Sequence, residues 1–169
     1  DDTLYAEWKR EADKTELNAV LAKANEALIG RYTQASKDLL KTRIAEAKRI
    51  ADKKDAFQNE VNQAKTSLQL AIDGLVKVYI VTFSWNDAAN TITEQDVAAG
   101  GYAVSLEDAP QWAGYEPTGK WYGNKKCTDE FQFAATPVTK DLTLYATWNE
   151  VVDKSALNGF ITDANAKLN

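Results

Sequence analysis

The chain has 169 residues, 20 basic against 25 acidic, five Trp and seven Tyr, one Cys, and neither His nor Met. Without His it lacks the usual neutral-pH general base, the Ser–His and Cys–His nucleophile pairs and His metal ligands; one Cys excludes an internal disulfide and a multi-thiolate zinc site. A net charge of −5 argues against nucleic acid as a partner, and no apolar run approaches the roughly 20 residues that cross a bilayer. With no Met and no ordinary signal peptide, the chain is expected to be a piece of a longer protein.

Residues 1–12 read as a strand, Asp1–Trp8, and a linker. Residues 13–77 read as three helices. Leu17, Val20, Leu21, Ala24 and Leu28 recur at spacings of three and four, one helical stripe, and Gly30 stops it. Thr33 can cap a second helix whose inner face is Leu40, Ile44, Ala47 and Ile50 or Ala51. After Lys53-Lys54-Asp55, the series Phe57, Val61, Ala64, Leu68, Ala71 and Leu75 forms a bundle seam. Three one-striped helices joined by short loops predict an antiparallel three-helix bundle.

Residues 78–148 differ in kind. They hold twelve aromatic residues, all three prolines and five of the eight glycines. Their charge balance is 4 basic to 9 acidic, against 12 to 9 in residues 13–77. Such a shift marks a domain boundary near Leu75–Tyr79. Tyr79, Val81, Phe83 and Trp85 alternate with polar or branched residues, the period of a strand. Thr91–Asp96, Tyr102–Leu106, Lys120–Tyr122 and Leu142–Trp148 are further strand candidates. In the last, Leu142, Leu144, Ala146 and Trp148 share one face and Thr143, Tyr145 and Thr147 the other. Residues 149–169 read as a linker and one more helix.

The two ends of the chain repeat each other. Asp1–Ile29 aligns with Asp141–Asn169 without a gap, and 13 of 29 positions are identical at an offset of 140. The repeating unit is therefore one helical bundle plus one β-domain, and the final helix is the first helix of another bundle.

Residues 13–76 resemble the FIVAR module, a three-helix unit of bacterial surface proteins. The residues that carry the resemblance are Asp13-Lys14-x-x-Leu17, Ala24-Asn25-x-Ala27-Leu28, Tyr32-Thr33 and Leu70-Ala71-Ile72-x-x-Leu75. Residues 79–148 resemble the Listeria–Bacteroides repeat through Val81-Thr-Phe83, Gly114-Tyr115, Trp121-Tyr122, Phe131-x-Phe133, Thr136-Pro-Val-Thr139 and Leu142-Thr-Leu-Tyr-Ala-Thr-Trp148. The resemblance implies an α+β chain of two domains, the second of β-grasp, ubiquitin-like character. It implies an extracellular location at a bacterial cell wall or surface, and no catalytic residues. Where that family reads Gly-Tyr-x-Phe-x-Gly-Trp-Tyr, this chain has a proline, Pro117, for the Phe and an inserted Lys120. Because Pro117 cannot donate to a ladder, this strand should bulge or lie on an edge.

Several side chains invite a functional reading. Trp112, Tyr115, Trp121 and Tyr122 form a candidate stacking platform for sugar rings, with core packing as the alternative, strongest for Trp121. Cys127, beside Lys125 and Lys126, is a reactive thiol or, more simply, a buried one. Asp87, Asn90, Glu94, Asp96, Glu107 and Asp108 lack the spacing of a calcium loop and read as turn residues. Lys48, Arg49, Lys53 and Lys54 could touch anionic wall polymers but read as a solvated face. No catalytic, cofactor or metal residue is assigned. The expected function is that of a non-catalytic spacer or stalk in contact with adjacent repeats. The alternative is a module that binds a cell-wall or host glycan, or a host matrix protein, through its exposed aromatics. Neither nucleic acid nor membrane insertion is expected.

Overall fold

The computed structural model describes residues 11–152 and 154–168; the strand expected over Asp1–Trp8 lies outside the described residues. The chain divides into two compact units, residues 1–78 and 79–169, and is an α+β protein.

The first unit contains α1 (Thr15–Ala27), α2 (Gln34–Asp52) and α3 (Gln58–Asp73). Their stripes close on one core. Leu17, Leu21 and Ala24 of α1 meet Leu40, Ile44, Ala47 and Ile50 of α2, and Val61, Leu68 and Ala71 of α3. Ala51, Ala64 and Leu75 pack around this core, half-buried. Phe57 departs from the expected seam. It is the N-cap residue of α3, its ring is 57% exposed, and its backbone N–H donates to Glu60 Oε2 at 2.7 Å. The helix therefore begins one residue after the ring that seemed to open its stripe.

The Asp13-Lys14 pair has a definite task. Asp13 Oδ1 accepts the backbone N–H of Thr15 at 2.9 Å, which satisfies a donor at the start of α1. Lys14 Nζ donates to the carbonyls of Ala51 at 2.7 Å and Lys53 at 2.5 Å. A cation thus sits on the orphan carbonyls at the C-terminal end of α2, where the helix dipole favours it. The chain leaving α3 is tied back onto this unit. Thr33 N–H donates to Val76 O at 2.8 Å and Val78 N–H to Arg31 O at 3.1 Å, around an isolated bridge between Tyr32 and Lys77.

The second unit is built on a four-stranded sheet in the order β2-β1-β4-β3, with β1 Val78–Ser84, β2 Ile92–Ala98, β3 Tyr115–Tyr122 and β4 Leu142–Glu150. β1 and β4 are parallel, with Phe83 opposite Leu144; β3 and β4 are antiparallel, with Trp121 opposite Ala146. β3 lies at one edge, and its register slips between Pro117 and Trp121, so Pro117 both bulges and occupies an edge. Gly119, at φ +72°, supplies the left-handed turn within the bulge. The two faces of β4 divide as its alternation predicts, with Leu144 and Ala146 buried and Thr143, Tyr145 and Thr147 half-buried on the other side.

The second core lies on the face carrying Val81, Phe83, Trp85, Trp121 and Leu144. No helix occurs in residues 79–148, so irregular chain covers this face, through Ala103, Leu106 and Ala109 and through Phe131, Phe133 and Val138. The expected strand over Tyr102–Leu106 does not form. Gln95 takes the place of a ladder partner, its side-chain oxygen accepting Val104 N–H at 2.8 Å and its Nε2 donating to Val104 O at 3.5 Å. A final helix, α4 (Ser155–Leu168), follows β4.

Candidate functional site

The four proposed ring contacts do not form one platform. Trp112 and Tyr115 come together, with stacked rings 4.1 Å apart at 26°; Trp112 is half-buried and Tyr115 is 37% exposed. Gly114, at φ +80°, turns the chain between them, and Tyr115 N–H donates to Trp112 O at 3.0 Å. Trp121 is core instead. It is 2% exposed and lies edge-to-face with Phe83 at 4.8 Å and Trp85 at 4.7 Å, so it offers a ligand almost no ring surface. The neighbouring Tyr122 alternates to the opposite face of the sheet, half-buried and opposite Tyr145 of β4.

The Trp112–Tyr115 pair is the outer end of a continuous series of rings. Trp112 meets Trp148 edge-on at 5.3 Å, Trp148 tilts against Trp85 at 6.3 Å, and Trp85 leads to Trp121 and Phe83. Trp148 Nε1 donates to Trp85 O at 2.5 Å, which satisfies the indole N–H as its ring turns inward. Trp148 was absent from the sequence-derived site. Its position on the inward face of β4, at the end of the repeated Leu-Tyr-Ala-x-Trp motif, is the signal that pointed to it. Beside the bulge of β3 lies a cavity of about 360 Å³, lined among others by Trp85, Pro117, Lys120 and Trp121. Pro117 is part of its lining.

The other candidates serve local structure. Asp87, 7% exposed, accepts Thr91 N–H at 2.7 Å and Thr91 Oγ1–H at 2.6 Å across the turn from β1 to β2. Desolvation is the largest single influence on its carboxyl and raises its pKa. The side-chain and backbone hydrogen bonds from Thr91, with its own backbone N–H, outweigh that and hold it below the ordinary 3.8. Among the described residues no group of three or more acidic or Cys side chains is placed to hold a metal. Cys127 is half-buried at φ +53°, and desolvation pushes its thiol up, away from the thiolate that reactivity needs. Lys53 pairs with Glu60 at 2.9 Å; Lys48, Arg49 and Lys54 are exposed.

Residues 13–76 match the FIVAR domain family, and residues 79–147 match the Listeria-Bacteroides repeat domain family. A 66-residue stretch, 39% of the chain, is 38% identical to part of the zinc metalloprotease ZmpB of Streptococcus pneumoniae serotype 4 (strain ATCC BAA-334 / TIGR4). The match spans 4% of that protein's length. The helical unit is thus a FIVAR domain and the sheet that follows it a Listeria-Bacteroides repeat domain, in the order that the motifs along the sequence predict.

Proposed function

We propose that this chain is a non-catalytic repeat unit of an extracellular bacterial surface protein, a spacer that holds adhesive or enzymatic domains away from the cell wall. Both domain families occur in bacterial surface proteins. No described helix is long and apolar enough to cross a membrane. The observation that carries the spacer reading is the junction at Val78. This residue is hydrogen-bonded to Arg31 O in the helical unit and is also the first residue of β1. The sequence between Gly74 and Val78 holds no long Gly/Ser-rich stretch of the kind that behaves as a flexible coil. At the far end the chain is held as far as Val151, whose N–H donates to Gly114 O at 2.7 Å. Small-angle scattering on a tandem of two units tests the reading. A narrow spread of inter-unit angles is expected, and a broad one would overturn the stiff spacer.

A second reading is favoured by the Trp112–Tyr115 stack, a flat aromatic surface at the outer end of the ring series. It would suit the apolar face of a cell-wall or host glycan, or a host matrix protein. A glycan array and a matrix-protein panel separate the two readings: binding lost in Trp112→Ala would replace the spacer with a binding module.

A further inference from the structure

The chain enters the sheet unit through β1 and leaves it through β4, its first and last strands. In the order β2-β1-β4-β3 these two are the central strands, each flanked on both sides, and they pair with each other in parallel. Tension drawn along the chain pulls β1 by its N-terminal end and β4 by its C-terminal end. In a parallel pair those ends lie at opposite extremities, so the strands are sheared and the bonds between them carry the load together. An antiparallel pair of terminal strands would present both ends side by side and unzip one bond at a time.

Side chains reinforce this pair at both of its ends. Before the paired stretch, Ile80 N–H donates to Oδ1 of Asp141, the residue preceding β4, at 2.8 Å. Beyond it, Asn86 Nδ2 donates to Ala146 O at 3.1 Å and Trp148 Nε1 to Trp85 O at 2.5 Å. Between these staples Phe83 stands opposite Leu144, and both are fully buried. Sliding β1 past β4 must drag both side chains through a close-packed core. The helical unit has no such arrangement. The hydrogen bonds of α1, α2 and α3 lie along each helix's own axis, so tension opens them in series.

We propose that the sheet unit is a load-bearing clamp, with β1 and β4 as its jaws and Asp141, Asn86 and Trp148 as its staples, and that it resists tension along the chain far better than the helical unit beside it. This goes beyond the spacer reading, since a spacer can be stiff in bending and weak in tension. That tension reaches the unit through its two ends rests on the repeat-unit reading; the geometry that resists it does not.

The test stretches the full chain between handles at its two ends, one molecule at a time, because forced unfolding reports the unfolding barrier rather than equilibrium stability. The helical unit should open first. The sheet unit should hold to a force about two- to fourfold higher, since four residue pairs of β1 and β4 share the load. Leu68→Ala, in the helical core, identifies the weaker event by lowering it alone. Asn86→Gly, which keeps the left-handed backbone at φ +51°, and Trp148→Phe each remove one staple and should lower only the stronger event. A second attachment changes direction and spares the core. With Cys127→Ser removing the native thiol, handles go on Ala88→Cys and Glu150→Cys, two exposed positions at the same end of the pair. The strands are then peeled apart, and the sheet unit should open at a force lower by the same factor, with its urea stability unchanged. Equal forces in the two directions, or a sheet unit that opens at or below the force of the helical unit, would overturn the proposal. The comparison of directions needs no core substitution, so it decides the matter even where a staple variant fails to fold. A broad spread of inter-unit angles would end the stiff spacer and leave a strong sheet standing, and a weak sheet would leave those angles untouched.

Discussion

Lys14 Nζ lies 2.7 Å from the carbonyl oxygen of Ala51, a contact that joins the residue just before α1 to the last turn of α2 across 37 positions of sequence. It explains why a lysine follows Asp13, whose carboxylate accepts the Thr15 N–H. The lysine neutralises carbonyls that the helix cannot satisfy itself, and it fixes how α1 enters against α2. Lys14→Ala is expected to cost about 1.5–3 kcal/mol, the range for hydrogen bonds from charged groups. Lys14→Arg should recover part of it. Chemical denaturation of the two variants, followed by helical circular dichroism, checks this.

The helical core makes a distinction that composition does not. Leu68 is fully buried, whereas Leu70, two residues on along α3, is 66% exposed. Leu68→Ala should destabilise by about 2–5 kcal/mol through lost burial and a cavity. Leu70→Ala should stay within about 0.5 kcal/mol of the parent, as surface substitutions do. Equal losses in a urea titration would mean that the stripe of α3 has been read on the wrong face.

The ring series predicts a similar contrast in the sheet unit. Trp121→Ala empties the centre of the core and should cost about 3–5 kcal/mol. Tyr115→Ala, at the outer end, removes one stacked pair and should cost about 0.5–1.5 kcal/mol. Tryptophan fluorescence should follow suit, since replacing Trp121 disturbs Trp85 at 4.7 Å while replacing Tyr115 leaves that contact intact.

Asp87 sets a pH dependence whose sign follows from its neighbours. Its folded carboxyl titrates below the ordinary 3.8, with desolvation opposing and the Thr91 hydrogen bonds prevailing. A depressed folded pKa contributes stability that is present above about pH 4 and is lost as pH falls through the folded value. Asp87→Ala should therefore cost about 1–2 kcal/mol near neutrality, with the gap to the parent narrowing below pH 4. Asp87→Asn keeps an acceptor for Thr91 and should lose the pH dependence while retaining part of the stability. Thermal melts at pH 3 and pH 7 compare the three.

Much of the fold was legible because its causes are local. The spacing of Leu40, Ile44, Ala47 and Ile50 dictates a helix with one buried side, and the alternation of Val81, Phe83 and Trp85 dictates a strand. The proline in Gly114–Tyr122 announced an irregular edge for the same reason, since a missing N–H is a property of the residue alone. Tyr102–Leu106 misled because strand character needs a partner ladder, and there the partner is the side chain of Gln95. Phe57 misled because helix phase alone does not say where the first turn begins.

Exposure was the decision of tertiary structure. A period says which residues share a face but not what covers that face. Trp112 and Trp121 are the same residue type nine positions apart, yet only Trp121 lies between two other core rings. The sharpest case is the repeated helix. The sequence alone determined that α1 and α4 carry one apolar stripe and one Asp-Lys opening. Only the assembled chain decided that Leu17 is sealed from water and Leu157 is not, because burial belongs to the surface a helix meets.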